Sequence, residues 1–305
     1  MLRPRLRIPR PPRLGVPAQS RLLPLACQTR SQHTLRPLEY PTDQGIPGFL
    51  SAASLNISWT QYQTFLLQKL NALIAETDHE GRDIKDITLL TARDPEFAPT
   101  FNYASMAHNN QFFFQHLTPK PVEMPALLRG HLEQSFGSIE TLRNEMIYTA
   151  DAMFGPGFVW LVKVSTPFMP VSFKVLTTYL AGSPYPAAHW RRQDVDMNTK
   201  SGSWNEAAIE TGKRYLDNTA FGAGKRSPEA TKRLSFAPGG TDLVPVLCLN
   251  TWEHVWLWDY GFGVGQSGGK LAYAQAWWKS IDWDKVCKEA NLSRQDMLGS
   301  SAATV

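Results

Sequence analysis

The chain has 305 residues, of which 43% are hydrophobic and 19% are charged, and its formal net charge is +4. This composition can bury a substantial core, which excludes a largely disordered chain. No apolar run approaches the roughly 18 to 20 residues that a membrane-spanning helix needs. The three cysteines, Cys27, Cys248 and Cys287, fit no Cys-x-x-Cys spacing of zinc or redox sites.

Basic residues are concentrated at the amino terminus. Residues 1–36 contain eight arginines, no lysine and no acidic residue. Such a segment, without a continuous apolar core, is typical of a mitochondrial targeting sequence, although a basic arm that binds nucleic acid has a similar composition. Processing near Arg30 is compatible with the pattern. Without these eight charges residues 37–305 carry −4, so we predict a mitochondrial matrix protein whose body has no general tendency to bind nucleic acid.

Two helices are predicted at the start of the body. From Ser58 to Thr77 the apolar residues fall mostly three and four positions apart, and Ser58 is a suitable N-cap. The aromatic-rich run that opens at Phe101 predicts a second helix over about 101–117. Because the stretch between them is polar and rich in turn residues, we expect the two helices to fold back as a hairpin.

The second half of the chain has a mixed pattern that predicts both helices and strands. Helices are predicted over about 123–134, 138–153 and 271–279, and strands over about 158–163 and 243–249. A Thr-Pro-Lys-Pro linker at residues 118–121 separates the two halves, since a residue before proline disfavours helix. The predicted parts are a helical hairpin domain at 45–120, an α/β domain at 121–290, an insertion in it at about 182–242, and a tail at 291–305.

The insertion is polar, with nine Lys or Arg residues against seven Asp or Glu residues. It is longer than an ordinary loop in a compact domain, so it is either an interaction segment or a segment that is disordered when alone. Aromatic residues within it favour interaction, because a merely solvated segment rarely contains so many; they include Trp190, Trp204, Tyr215 and Phe221. A candidate helix from Trp204 to Leu216 also favours ordering on a partner.

The most informative motif follows the second predicted strand and reads Asn250-Thr-Trp252-Glu253-His254. A lone histidine between apolar residues is most often a core residue whose nitrogens are satisfied. The wider pattern includes an Asp-Tyr pair and, about twenty residues later, an aromatic helix that runs into Asp282. That pattern has the form of a metal-site signature without its carboxylate.

This segment resembles the C-terminal signature of the iron/manganese superoxide dismutases, in which Asp-x-Trp-Glu-His supplies two metal ligands. Other motifs are similar in the same order: the helix start at Phe101, Ser-Phe-Gly-Ser at 135–138, and Gly-x-Gly-Phe-Val-Trp at 155–160. The resemblance implies an α+β fold, in which an N-terminal helical hairpin precedes an α/β domain with a small antiparallel sheet.

The family holds its metal with three histidines and one aspartate, a set suited to iron or manganese. Matched by motif, the two helix histidines fall on Ser58 and Asn110, the aspartate on Asn250 and the last histidine on His254. Only one of four ligands is retained. His108 lies about 200° around a helix from Asn110, on the wrong face to replace it, so we expect surface exposure or interhelical packing for His108.

Three residues that support the metal in the family are also replaced. The family's second-helix glutamine corresponds to Met106, its substrate-channel tyrosine to Leu66 and a turn tryptophan to Phe158. Because such groups orient ligands and tune the metal, their loss weakens the site further. The resemblance therefore predicts no metal, no cofactor and no dismutation of superoxide. The alternative is an active mitochondrial superoxide dismutase with an atypical metal site.

Glu253 and His254 are retained although the other ligands are not. In the family this glutamate pairs across the dimer interface with the metal-bound histidine of the other subunit, so the resemblance implies an interface role. The second half of that contact is changed, because its histidine falls on Tyr62 and its tyrosine on Leu257. Either a Tyr–Leu contact replaces it, or the partner is a related chain with a complementary change. The second alternative favours a heterodimer.

The targeting sequence, the altered metal site and the insertion together resemble the superoxide-dismutase-like proteins of the fungal mitochondrial small ribosomal subunit. This resemblance implies a structural component of that subunit, with ribosomal proteins as partners, an rRNA contact as an open question and no membrane. The sequence contains no RNA-binding signature. A mitochondrial scaffold or assembly factor is therefore a further alternative.

Overall fold

The computed structural model describes residues 32–92, 94–165, 170–189, 242–264 and 268–292. Across these ranges, helices precede and follow a three-stranded antiparallel sheet, which confirms the predicted α+β fold. No helix in the described ranges is both long and apolar enough to cross a membrane.

The first helix of the body begins earlier than its apolar pattern predicts. Ser51 is the N-cap, and its Oγ accepts a hydrogen bond from the N–H of Ser54. Helix α1 (Ala52–Leu55) continues through a π-helical segment (Asn56–Gln61) into helix α2 (Tyr62–Ile74). The three segments form one continuous helical run.

Ser58 lies inside this run, so its prediction as the N-cap is wrong. Its side chain is fully buried, and its hydroxyl donates to the carbonyl oxygen of Ser54 over 2.7 Å. A serine hydroxyl can bond either to the start of a helix or to a carbonyl one turn back, and the residue type alone does not distinguish the two. Leu55, one helical turn before Trp59, is also buried, so the apolar spacing begins before the predicted start.

Helix α3 (Ile84–Thr91) lies in the stretch whose polar composition predicts turns. Asp83 caps it, since its Oδ2 accepts a hydrogen bond from the N–H of Lys85 over 3.2 Å. Helix α3 packs against helix α4 (Ala98–Gln115) and buries Ile87 completely. Because α2 also packs against α4, the predicted hairpin is confirmed, with one unpredicted helix between its arms.

Two helices follow α4, as predicted. Helix α5 (Ala126–Phe136) ends at Gly137, whose φ of +81° lies in the left-handed region that favours glycine. Helix α6 (Ile139–Ala152) begins after Ser138, whose Oγ accepts a hydrogen bond from the N–H of Thr141 over 3.0 Å.

The sheet has the strand order β2-β1-β3, and each neighbouring pair is antiparallel. The strands are β1 (Gly157–Ser165), β2 (Ser172–Tyr179) and β3 (Asp242–Asn250). Strands β1 and β3 match the two predicted strands, whereas β2 was not predicted because its partly exposed residues do not alternate cleanly. The apolar run from Phe158 to Val162 is buried, as expected for a central strand covered on both faces.

The sheet register fixes the position of Asn250. Phe158, near the start of β1, pairs with Asn250 at the end of β3. A Cβ atom at Gly157 would lie 2.2 Å from the carbonyl oxygen of Thr178, so only glycine lets β1 and β2 approach here. The N–H of Thr251 donates to the carbonyl oxygen of Gly157 over 2.9 Å, which holds the chain as it leaves the strand.

Residues after β2 return to the N-terminal helices. They include the short helix α7 (Pro186–His189), which contacts α3. The remainder of the predicted insertion, including the candidate helix from Trp204 to Leu216, lies outside the described residues.

Three further helices follow β3 in the described ranges. They are α8 (Glu253–Tyr260), α9 (Gly269–Lys279) and α10 (Trp283–Ala290). Only α9 was predicted, because α8 and α10 are each eight residues long, which is too short for apolar spacing to identify a helix. The Oδ1 of Asp282 accepts a hydrogen bond from the N–H of Lys285, and the N–H of Asp282 donates to the carbonyl oxygen of His116. Helix α10 is thereby connected to the end of α4.

Candidate functional site

Three of the four predicted ligand positions meet in the core. Ser58, Asn110 and Asn250 are fully buried on the first helix, on α4 and at the end of β3. The Nδ2 of Asn110 donates to the carbonyl oxygen of Ser58 over 3.2 Å. The Nδ2 of Asn250 donates to the Oδ1 of Asn110 over 3.3 Å. Direct hydrogen bonds therefore connect these three residues.

A fourth buried residue at this point, Gln63, was missed by the sequence analysis. Its Oε1 accepts a hydrogen bond from Asn110 over 2.9 Å, and its Nε2 donates to the carbonyl oxygen of Ala107 over 2.9 Å. The sequence pattern does predict that Gln63 is buried, because this residue continues the helical spacing of Trp59 and Leu66, which are both buried. A glutamine at a core position of an amphipathic helix requires buried hydrogen-bond partners.

Gln63, Asn110 and Asn250 form one chain of hydrogen bonds, which we call the amide network. It begins at the N–H of Trp252, which donates to the Oδ1 of Asn250 over 2.9 Å, and it ends at the carbonyl oxygen of Ala107. Each amide accepts through its oxygen and donates through its nitrogen, so the bonds run in one direction and can reinforce one another. The network is neutral, and each of its three side chains both donates and accepts.

This donor set does not suit iron or manganese. Proteins hold those metals with imidazole and carboxylate ligands, whereas the amide network has no charge and its oxygens already accept hydrogen bonds. The hydroxyl of Ser58 is also engaged, since it donates to Ser54. Within the described residues, no group of three or more His, Cys, Asp or Glu side chains could hold a metal ion. The residues present therefore do not fit the metal of the family.

His254 lies beside the amide network, in the first turn of α8. Its ring centroid is 4.1 Å from that of Tyr62 and 5.6 Å from that of Trp252. Burial lowers the pKa of His254 to about 4, so the imidazole is neutral near pH 7. The Nε2 of His254 and the Nε1 of Trp252 are buried without a hydrogen-bond partner among the described residues. Such unpaired nitrogens are uncommon in folded proteins.

Aromatic side chains extend from His254 towards the surface. We call Tyr62, Phe65, Tyr103, Trp252 and His254 the aromatic face. The ring centroids of Tyr62 and Phe65 lie 6.4 Å apart, and those of Phe65 and Tyr103 lie 6.2 Å apart. Phe65 is 44% exposed. Burial, with a smaller contribution from Tyr103, raises the pKa of Tyr62 to about 12 and keeps its hydroxyl protonated.

Glu253 and Leu257 lie on either side of His254 along α8. Both are partly buried, and Leu257 packs against the core. The next residue, Trp258, is 68% exposed. Because α8 packs against α1 and the π-helical segment, the predicted interface residues of α8 lie in the same part of the molecule as Tyr62.

His108 points away from the amide network and contacts the start of the insertion. Its Nε2 lies 2.9 Å from the hydroxyl oxygen of Tyr185. The Nζ of Lys85 lies 4.5 Å from the Tyr185 ring centroid, and the Nδ2 of Asn109 donates to the carbonyl oxygen of Gly182. Burial, with a smaller contribution from Lys85, lowers the pKa of His108 to about 4. His108 is half-buried, and the side chain within hydrogen-bond distance of it follows β2 rather than belonging to another helix of the hairpin.

Comparison with superoxide dismutases supports the family resemblance. Residues 227–289 match the family model described as iron/manganese superoxide dismutases, C-terminal domain. This range contains both Asn250 and His254. The chain is also 31% identical to the iron superoxide dismutase of Helicobacter pylori over 127 residues, which cover 42% of this chain and 57% of that enzyme.

Two ribosomal proteins of Schizosaccharomyces pombe are similar over a larger share of the chain. Small ribosomal subunit protein mS43 is 27% identical over 245 residues, which cover 77% of each protein. Small ribosomal subunit protein mS42 is 26% identical over 264 residues, which cover 84% of this chain and 95% of that protein. The C-terminal match and these relatives together show that the chain is similar to the iron/manganese superoxide dismutases and, over most of its length, to two small ribosomal subunit proteins.

Proposed function

We propose that this protein is a structural component of the mitochondrial small ribosomal subunit. The observation that carries the proposal is the similarity to mS43 and mS42 over 77% and 84% of the chain. An iron superoxide dismutase of Campylobacter jejuni that matches over a comparable share of the chain, 87%, is less similar, at 24% identity. The Arg-rich, acid-free amino terminus supports a location in the mitochondrial matrix, on the mitochondrial ribosome.

The protein does not dismutate superoxide in this proposal. The family's ligand positions are Ser58, Asn110, Asn250 and His254, and the first three contribute a hydroxyl and two amides to hydrogen bonds within the core. Replacing two imidazoles and a carboxylate by neutral groups removes most of the affinity for iron or manganese. The fold consequently has no need of a metal or another cofactor.

The protein acts through dimerisation with a related superoxide-dismutase-like chain. Glu253, His254, Tyr62 and Leu257 form the proposed interface. Its support is the aromatic face, where two buried nitrogens have no hydrogen-bond partner among the described residues. Unpaired buried nitrogens carry a desolvation cost that acceptors on a partner chain would remove. In a homodimer, the partner would bring the same two unpaired nitrogens to the interface. A partner with a different sequence can supply acceptors instead, which favours a heterodimer.

The insertion supplies a second contact with the subunit, to ribosomal proteins and to rRNA. Its nine basic residues can contact phosphates locally, although the body is not basic overall.

A shortened variant tests the role of the insertion. A deletion that starts at residue 185 would remove the buried Tyr185 together with the insertion. Replacing only residues 190–241 by a Gly/Ser linker keeps that side chain. We expect the shortened protein to stay folded and to bind the subunit more weakly; unfolding would show that the segment is structural.

Sedimentation of a mitochondrial lysate tests the ribosomal assignment. We expect the protein to co-migrate with small-subunit rRNA through a sucrose gradient, both before and after a high-salt wash. A pool that stays in the light fractions, or that salt releases, would contradict the assignment and indicate a free scaffold or an assembly factor. Variants in which linkers of two lengths replace residues 190–241 are run in the same gradient. Because these variants leave the aromatic face unchanged, any decrease in their co-migration measures the contribution of the insertion.

A further inference from the structure

The segment that follows the Arg-rich leader is attached to the folded body. Residues 33–40, which we call the strap, are not helical and cross several elements of the fold. Their first contact is a pair of hydrogen bonds between the backbone of one residue and one side chain. The N–H of His33 donates to the Oδ1 of Asn71 over 2.9 Å, and the Nδ2 of Asn71 donates to the carbonyl oxygen of His33 over 2.8 Å. The side chain of Asn71 on α2 therefore binds His33 through both groups of its backbone.

The strap makes further contacts along its length. Arg36 lies 3.8 Å from a carboxylate oxygen of Asp83, the N-cap of α3. Leu35 and Leu38 pack against the hydrophobic core. The exposed Arg36–Asp83 pair contributes little by itself, so the apolar contacts and the Asn71 hydrogen bonds carry most of the attachment.

The carboxyl-terminal end of the strap is the most deeply buried part. The hydroxyl of Tyr40 donates to the carbonyl oxygen of Phe114 over 3.0 Å, and Tyr40 is 8% exposed. Glu39 forms an ion pair of 3.0 Å with Lys285 of α10. The strap thus connects α2 and α3 to the end of α4 and to the C-terminal helix.

We propose that the targeting sequence ends before His33 and that the strap is retained in the mature protein. A leader that is removed after import contributes nothing to the final fold, whereas the strap contributes buried side chains and paired backbone groups. Charge composition alone would place residue 36 in the leader, because Arg36 is basic. In the structure, however, Arg36 lies beside Asp83 of the body. Seven of the eight arginines precede Gln32. The processing position therefore lies between the last leader arginine, Arg30, and His33.

This proposal rests on the mitochondrial location in the proposed function. Mass spectrometry of N-terminal peptides, from the protein isolated out of mitochondria, identifies the first residue directly. We expect a first residue at Ser31, Gln32 or His33. A first residue after His33 would overturn the proposal, as would a chain that retains Arg30 and the residues before it.

The contribution of the strap is measured separately on the full 305-residue chain. Asn71→Ala removes both hydrogen bonds to His33 and should lower Tm by about 4 to 8 °C. Gln68→Ala, at an exposed position of the same helix, is the control and should leave Tm unchanged. Equal Tm values for the two variants would overturn the structural role of the strap.

The two proposals fail in different ways. A protein that co-sediments with the small subunit but begins after His33 contradicts the strap and leaves the ribosomal assignment intact. A protein that begins at Gln32 but never co-sediments supports the strap and contradicts the ribosomal assignment.

Discussion

The amide network and the aromatic face lie next to each other but differ in how their polar groups are paired. Asn110 uses both hydrogens of its amide nitrogen and also accepts a hydrogen bond, so no polar atom of its side chain is left unpaired. Beside it, the Nε2 of His254 and the Nε1 of Trp252 are buried without a partner among the described residues. Unpaired buried polar atoms are uncommon in folded proteins and their assemblies. The amide groups of the network are therefore paired within one chain, whereas these two nitrogens of the aromatic face are left for a partner chain to pair.

This difference separates two consequences of the proposed loss of the metal. Inside the core, Asn110 and Asn250 occupy the positions of a histidine and the aspartate of the family, and their amides pair with each other. On the aromatic face, Glu253 and His254 are retained from the family's motif, and the nearby aromatic rings offer area for contact with a protein. The following predictions test whether the two regions respond differently to the same kind of change.

The largest expected effect is a loss of stability in acid. Burial lowers the pKa of His108, His116 and His254 from 6.5 to about 4. The unfolded chain binds these protons near pH 6.5, whereas the folded chain binds them only near pH 4. Stability is therefore full above pH 6.5 and falls as the pH decreases towards 4, by on the order of 2 to 3 kcal/mol for each histidine.

Urea unfolding from pH 7 to pH 4 measures this loss, and NMR titration of the three imidazoles assigns it to single residues. A carboxylate from the partner chain would raise the pKa of His254 in the complex and leave that of His108 unchanged. Histidines that titrate near pH 6.5 in the folded free chain would contradict the prediction.

Breaking the amide network should have the next largest effect. Asn110→Ala leaves buried groups of Gln63, Asn250 and Ser58 without their partners, so we expect a loss of about 3 to 5 kcal/mol in unfolding free energy. Urea denaturation measures it, with the exposed Gln68→Ala as the matched control. A loss below about 1 kcal/mol would mean that the network is not a stabilising part of the core.

Changing the aromatic face should affect the complex more than the free chain. Trp252→Phe keeps the aromatic packing but removes an unpaired N–H group, so the free chain should be as stable as before, or more stable by up to about 1 kcal/mol. Binding to the partner chain should weaken by about tenfold, since the N–H loses its acceptor there. Unfolding curves and titration calorimetry with the co-expressed partner measure the two effects. A destabilised free chain with unchanged binding would show that this nitrogen serves the fold.

The smallest expected effect concerns the contact between the body and the insertion. Tyr185→Phe removes the hydroxyl that lies 2.9 Å from the Nε2 of His108 and should cost about 1 kcal/mol. Hydrogen exchange should increase around Gly182, while the amide network stays protected. Faster exchange throughout the core would contradict a local role for this contact.

The sequence was sufficient to locate the amide network, because the motifs around it are short and occur in the same order along the chain as in the superoxide dismutases. The resemblance to the superoxide dismutases placed Ser58, Asn110 and Asn250 in one group, and the structure connects them by hydrogen bonds although 140 residues separate Asn110 from Asn250. The same reasoning missed Gln63, because the family comparison considered only the positions of known ligands. The helical spacing from Trp59 to Leu66 would have identified Gln63 as a buried polar residue.

Other features could not be read from sequence, because they depend on tertiary contacts. Nothing near His33 indicates that Asn71, 38 residues away, binds its backbone. The position of Ser58 inside a helix, rather than at its start, depends on burial against the core. The contact between His108 and Tyr185 depends on a chain segment that superoxide dismutase motifs do not include.

The central claim is that the position of the family's metal is now a closed, neutral part of the core. Metal analysis of the full-length protein, expressed with added manganese and iron and then purified without chelators, tests it most directly. We expect far less than one ion per chain, and no change in Tm when either metal is added. A substantial fraction of one manganese or iron ion per chain would contradict the claim and restore the reading of an active enzyme with an atypical site.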